Sequence, residues 1–416
     1  MATSADDLTP ERRGRALGLI AAAQIGAMST WFSAAAVAPS LARDWHLTPA
    51  EVALLTVAVQ LGFVAGALAS AVSGIADIFS TRIVFVASAL AAAVSNGLLI
   101  ATSGDLRLAI PLRFVLGVVL AGVYPTGIKL MTGWFREARG LAIGILVGAL
   151  TLGAAFPHMI AAIGLAGRLP WQSVIVATSL GAVVSAVIIG GFVQRGPFEG
   201  PSARLDLRWA LRSFRNPAIR LANAGYFGHM WELYAMWTWI PVFLLASFHA
   251  SGGGGGESAG RLASVAAAWV IGIGAAGCLA GGLSADRLGR TVTTAAAMVL
   301  SGASAVVTGL LFGRSPTLVV AAATVWGISV IADSAQFSAS VSELAEPERV
   351  GSALALQTAL GFLLTAVSIQ VLPLALRAAG WQGAFALLAV GPALGAVAML
   401  RLRGHPEAVR LAGGRR

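Results

Sequence analysis

From Leu17 onward the chain is a succession of apolar runs, twelve in all, parted by short stretches that carry Arg, Asp, Pro or Gly. The runs begin near Leu17, Ala50, Ile83, Leu108, Leu141, Trp171, Ile219, Leu262, Thr291, Thr317, Val350 and Trp381. Each lasts about 20 to 28 residues, and a helix of about 20 apolar residues crosses the hydrocarbon core of a bilayer. Inside lipid the backbone must satisfy its own polar groups, so runs of this length read as helices. Only 11% of the residues are charged, against roughly 25% in a soluble domain. A soluble globule is excluded, and the expected fold is an all-α membrane protein with twelve transmembrane helices. The single cysteine, Cys278, leaves neither a disulfide framework nor a cysteine metal site. No metal-ligand spacing, paired catalytic acids or activated nucleophile stands out. The only lysine, Lys129, does not sit in a nucleotide-binding loop. No metal, no cofactor and no enzymatic activity are expected.

The longest break between runs, from Gln194 to Pro217, holds Pro197, Pro201 and five arginines and falls between the sixth and seventh runs. The expected organisation is a tail at 1–16, a six-helix bundle at 17–193, a linker at 194–217, a second six-helix bundle at 218–402 and a tail at 403–416. Loops that stay in the cytoplasm are enriched in Lys and Arg. With the N-terminus inside, cytoplasmic segments would hold nineteen arginines, among them Arg136, Arg204 and Arg416, against six in the opposite loops, Arg168 included. Both tails are therefore placed in the cytoplasm. That distribution accounts for the formal charge of +10 and leaves no soluble basic domain for nucleic acid. Ala34-Ala35-Ala36 resembles a leader cleavage site, but the run before it is long enough to span and reads as an uncleaved first helix. Gly252 through Gly256 reads as a flexible external loop.

The two halves echo each other. Trp171-Gln172 and Trp381-Gln382 are 210 residues apart, as are Gly181 and Gly391, while Asp77 and Asp286 are 209 apart. Glu137 to Gly140 precedes the fifth run as Glu348 to Gly351 precedes the eleventh. Ordered pairs at matching positions argue for duplication of a six-helix unit, an architecture of transporters with a site between repeats. Gly282-Leu-Ser-Ala-Asp286-Arg287-Leu-Gly289-Arg290 resembles the cytoplasmic loop signature G-x-x-x-D-R-x-G-R of the major facilitator superfamily. The first copy keeps Asp77 and Arg82 but has Ile78 and Ser80 where the signature has Arg and Gly. Arg113-Phe-Val-Leu-Gly117 resembles the Arg-bearing motif of that family's fourth helix. The resemblance covers Leu17 to Leu402. It implies two pseudo-symmetric bundles working by alternating access, with the Asp286–Arg290 loop as a latch of one conformation. Gly277 and Gly281 read as a helix-packing surface, which the resemblance directs toward the other half.

Charged side chains at bilayer depth cost about 2.5 to 3.5 kcal/mol on insertion scales, so each requires an explanation. Glu232 in the seventh run, Asp333 in the tenth and Arg113 in the fourth are the central candidates. His229, three residues before Glu232, shares its helical face and is placed to tune or share its proton. Trp326, Ser329, Gln336 and Ser340 continue a polar stripe through Asp333. Arg113, on a face with Tyr124, suits either an anionic solute or a balancing acid. Gln24, Trp31, His158 and Gln357 are further positions for a substrate or proton pathway. The bland reading of each is a bond to a neighbouring helix.

The function expected is secondary active transport of a small solute, coupled to protons, with uptake of a small organic or inorganic anion as the first choice. Proton-coupled efflux of drug-like or metabolite compounds is the alternative within transport. A non-transporting sensor with the same fold is the alternative of another class. The expected surroundings are the lipid bilayer, a small-molecule substrate and protons, for a monomer in a bacterial inner (plasma) membrane.

Overall fold

The computed structural model describes residues 9–73, 78–135, 139–166, 169–199, 206–252, 256–346 and 349–415. Asp77, Arg136, Glu137, Arg168, Arg204, Glu348, Arg416 and the centre of the glycine loop at 253–255 lie outside the described residues. The chain divides into two compact units, Met1–Ser202 and Ala203–Arg416.

The first unit carries α1 (Pro10–Met28), α2 (Ser33–Ala36), α3 (Ala38–Asp44), α4 (Pro49–Ser73), α5 (Thr81–Gly97), α6 (Leu106–Leu120), α7 (Tyr124–Trp134), α8 (Arg139–Ala166) and α9 (Gln172–Phe192). Local chemistry sets the ends. Thr48 and Glu51 form a reciprocal cap before α4, with Thr48 N–H donating to Glu51 Oε2 at 2.8 Å and Glu51 N–H to Thr48 Oγ1 at 3.3 Å. The first apolar run is not one helix. Ser29, Thr30 and Ser33 donate their hydroxyls to the carbonyls of Gly26, Ala27 and Thr30, and such bonds compete with the helical ladder.

The second unit carries α10 (Leu207–Ser213), α11 (Pro217–Ala250), α12 (Gly256–Gly272), α13 (Gly274–Leu288), α14 (Arg290–Leu310), α15 (Pro316–Ala332), α16 (Ser334–Leu344) and α17 (Val350–Arg403), then a 3-10 turn at Pro406–Gly414. Among the described residues, ten helical stretches are long and apolar enough to cross a membrane. Two features separate this from twelve runs. The first run is interrupted as described, and the last two merge into the 54-residue α17, broken at Ala379–Gly380, where Gly380 takes a φ of 65° that favours glycine. Leu180, Val184 and Val187 of α9 and Leu363 and Val367 of α17 point outward, as suits helices surrounded by lipid.

The two units repeat their packing. A Cβ on Gly62 or Gly117 would run into the carbonyl of Phe114 or Val59, so α4 and α6 meet backbone to backbone. Gly277 and Gly281 of α13 do the same against Ile328 and Ala332 of α15, and Gly327 of α15 does so against Val270 of α12. Gly277 and Gly281 thus pack on a helix of their own unit. Gly26 meets Gly181 between α1 and α9, and Gly228 meets Gly391 between α11 and α17.

Candidate functional site

In the second unit the buried acids are collected by four helices. Glu232 of α11 is 2% exposed. Its Oε1 accepts the indole N–H of Trp326 from α15 at 2.8 Å, and its Oε2 accepts the hydroxyl of Ser301 from α14. Trp326 is held in that direction by Phe385, whose ring lies edge-on at 4.9 Å. Two charge-assisted donors offset the cost of a carboxylate at this depth.

His229 faces the other acid. Its Nδ1 lies 2.8 Å from Oδ1 of Asp333, with both side chains buried. Among the described residues Asp333 Oδ1 and His229 Nε2 complete no hydrogen bond of good angle, so this pair keeps bonding capacity in reserve. No hydrogen bond joins His229 to Glu232 among the described residues; the acid that His229 approaches is Asp333. Asp333 sits where α15 gives way to α16, and the stripe of Trp326, Ser329, Gln336 and Ser340 is buried on both sides of it.

The stripe leads to the signature loop. Arg290 reaches Gln336 Oε1 at 2.7 Å and grips Glu343 of α16 with two bonds, Nε to Oε2 at 2.8 Å and Nη2 to Oε1 at 2.5 Å. Gly289 ends α13 at a φ of 88°, a turn that only glycine enters freely. Asp286 and Arg287 are exposed, and the part of Asp286 that is engaged is its backbone carbonyl, which accepts from Arg415. Among the described residues nothing lies within 4 Å of a Cβ position on Gly282.

Arg113 is wholly buried in the first unit and meets no acid among the described residues. Its guanidinium donates to the carbonyls of Leu55 at 3.2 Å, Thr30 at 3.3 Å and Trp31 at 2.6 Å. It also reaches Ser33 Oγ at 3.3 Å and Asn96 Oδ1 at 3.2 Å. Asn96 in turn donates to Ile175 O, Thr178 Oγ1 and Ser179 Oγ of α9. The base therefore ties the interruption of the first run to α4, α5 and α9. Arg82 caps α9, donating to the carbonyls of Ile189 and Gly190, where the helix end carries partial negative charge.

Three of the remaining candidates join neither network. Gln24, His158 and Gln357 are buried, and among the described residues their side-chain polar atoms have no hydrogen-bond partner. Trp31 packs on Phe63 at 4.9 Å, and Tyr124 opens α7 half-buried. Three partners escaped the sequence reading. Glu343 extends the stripe by three residues beyond Ser340, which a longer helical projection reveals. Asn96 is a lone amide in an apolar run. Ser301 carries no signal, since serines are scattered through the run. No group of three or more potential metal ligands occurs among the described residues.

Two pseudo-symmetric helical units, with the Gly289 turn and the Arg290 grip in the second, have the form that the loop signature led us to expect. Residues 20–284 match the sequence profile of the Major Facilitator Superfamily. The chain belongs to the Major Facilitator Superfamily. It is thus a multi-pass membrane transporter of the secondary class, which points away from enzymatic catalysis. A crystal structure of a bacterial homologue of the human lysosomal transporter Spinster, in an inward-facing and occupied conformation, is similar with a TM-score of 0.67 and 14% sequence identity. The likeness covers 95% of this chain and 98% of the other, and at that identity it concerns the fold alone. No curated protein sequence matches significantly.

Proposed function

We propose that this superfamily member is a proton-coupled carrier working by alternating access, with Glu232 as the carboxyl group that loads and releases the proton. The supporting observation is the division of labour between its two donors. The Trp326 indole can only donate, so Oε1 must remain an acceptor whatever the charge. The Ser301 hydroxyl can donate or accept, so Oε2 can take up a proton and donate it to Ser301 without orphaning either group. Protonation then reverses one bond between α11 and α14 and preserves the one between α11 and α15. His229 and Asp333, with unused bonding capacity beside it, form the second stage of the path.

The placement of Arg113 bears on the solute. A guanidinium held by three backbone carbonyls, Ser33 and Asn96 is poorly placed to grip a carboxylate or inorganic anion. This favours exchange of an organic metabolite or drug-like compound for protons over uptake of a small anion. The test is proton flux into liposomes holding the purified protein and an internal pH dye, with small anions and cationic organic compounds added in turn. Flux that follows the organic compounds and vanishes in Glu232→Gln is the expected result. Solute-driven flux that persists in Glu232→Gln removes the proton role, and flux that follows anions alone restores the anion reading.

A further inference from the structure

The segment after the last span folds back on the second unit. Its 3-10 turn, Pro406–Gly414, buries Ala408 and Leu411 completely. Four polar contacts hold it. The Ala412 N–H donates to Glu343 Oε2 at 3.0 Å, the same carboxylate that Arg290 grips. Arg410 Nη2 donates to the carbonyl of Ala345, just beyond the end of α16, at 3.3 Å. Arg415 donates to the carbonyl of Asp286 in the signature loop. Asn216 Nδ2 donates to both oxygens of Glu407 at 3.1 Å, while Asn216 Oδ1 caps α11 by accepting from the N–H of Ala218 at 2.8 Å.

These contacts converge on the ends of α11, α13 and α16, and through the Arg290–Glu343 pair they reach the start of α14. α11 carries Glu232 and His229, α16 carries the stripe that follows Asp333, and α14, which Arg290 opens, carries Ser301. We infer that residues 405–415 form a strap that clamps these helix ends together and restrains the latch of Arg290 and Glu343. The contacts are of two kinds. Burial of Leu411 supplies non-directional hold, of the sort that scales with apolar area removed from water. The amide of Ala412 and the side chain of Arg290 together use three of the acceptor sites of Glu343, so loosening the strap weakens the carboxylate's fixation on Arg290.

The strap is also built to let go. Its docked form holds Ala412, Gly413 and Gly414 at φ of 47°, 63° and 96°. Glycine accepts this region freely, and alanine does not. Undocking releases Ala412 from that conformation, so two variants act in opposite directions. Leu411→Asp expels the buried anchor and opens the strap. Ala412→Gly keeps the N–H that Glu343 accepts, relieves the left-handed alanine and tightens the strap.

Hydrogen exchange of the full chain in lipid nanodiscs, read by mass spectrometry, distinguishes a strap from a decoration. With Leu411→Asp, the amides of residues 221–226, 294–299 and 338–344 should exchange about tenfold faster or more, because exchange reports local opening. With Ala412→Gly the same amides should exchange more slowly. If Leu411→Asp does not fold, the slowing in Ala412→Gly decides the matter alone. Changes confined to 405–415 in the variants that fold, or no change at all, overturn the strap. The readout requires no transport, so it stands or falls apart from the proton role of Glu232.

Discussion

The two units share a helix order and a pattern of glycine contacts, yet their buried charges are opposite in sign and in kind of partner. The first buries a base, Arg113, whose donors go mostly to backbone carbonyls. The second buries two acids, Glu232 and Asp333, whose partners among the described residues are side chains. The difference separates architecture from mechanism. A carbonyl is an acceptor in every state, so a guanidinium placed over the carbonyls of an interrupted helix has no second arrangement to adopt. A hydroxyl or imidazole has two, donor and acceptor, and an acid held by such groups can change charge without leaving an orphan.

Arg113→Ala is the substitution with the largest expected effect. It removes a donor from the carbonyls of Leu55, Thr30 and Trp31 and from the amide oxygen of Asn96 in a buried site, only Thr30 O and Asn96 Oδ1 keeping the Ser33 hydroxyl, and a group left unsatisfied there costs about 1 to 3 kcal/mol. Thermal unfolding in detergent should show a loss of about 3 kcal/mol or more. Arg113→Lys should recover part of it, because an ammonium reaches fewer of these acceptors. Glu232→Gln, by contrast, should retain a folded protein. An Arg113→Ala protein as stable as wild type but without transport would reverse the comparison and make the base the mechanistic residue.

Much of this was legible in the sequence, and the gaps have physical causes. Length and apolarity define helices in lipid without reference to tertiary contacts, so the all-α class and the paired units could be read directly. The interruption at Ser29–Phe32 could not, because it depends on Ser29, Thr30 and Ser33 choosing backbone acceptors inside the turn. Glu232 and Asp333 stood out by cost alone. Their partners did not: Ser301 is one serine among many, and the side of α11 on which His229 finds an acid depends on how α16 packs. Arg113 was conspicuous for its charge, but its role depends on five acceptors drawn from separate elements, three of them anonymous carbonyls.

The glycine contacts test whether the repeated packing is equally tight in both units. Gly281→Ala drives a Cβ into the carbonyl of Ala332 and Gly66→Ala drives one into that of Val118. Each should destabilise by about 1 to 3 kcal/mol, the usual range for overpacking. Gly282→Ala, one residue along α13 with open space around it, should be neutral or stabilising by about 0.5 to 1 kcal/mol, since alanine is the better helix former. Melting temperatures of the three variants in one detergent provide the comparison. A Gly281→Ala protein indistinguishable from Gly282→Ala would mean that α13 and α15 do not approach as closely as α4 and α6.

The smallest effect belongs to an acid outside the membrane helices, and it sets an exposed carboxylate against the buried ones. Asp206 caps α10 by accepting the Trp209 N–H at 3.0 Å and pairs with Arg349 at 2.6 Å. The Trp209 N–H, and Arg349 with it, hold its carboxyl below the usual carboxylate range. A group lowered in the folded state stabilises above its unfolded value, and that contribution fades as pH falls through the folded value. Asn caps a helix about as well as Asp, so Asp206→Asn removes the charge and spares the cap. Wild type should melt slightly above Asp206→Asn at neutral pH. The gap should close as pH falls below the usual carboxylate range, and added salt should narrow it. A gap that stays constant across that window would show that Arg349 contributes nothing through charge, and that an exposed ion pair beside the linker does not share the sensitivity proposed for Glu232.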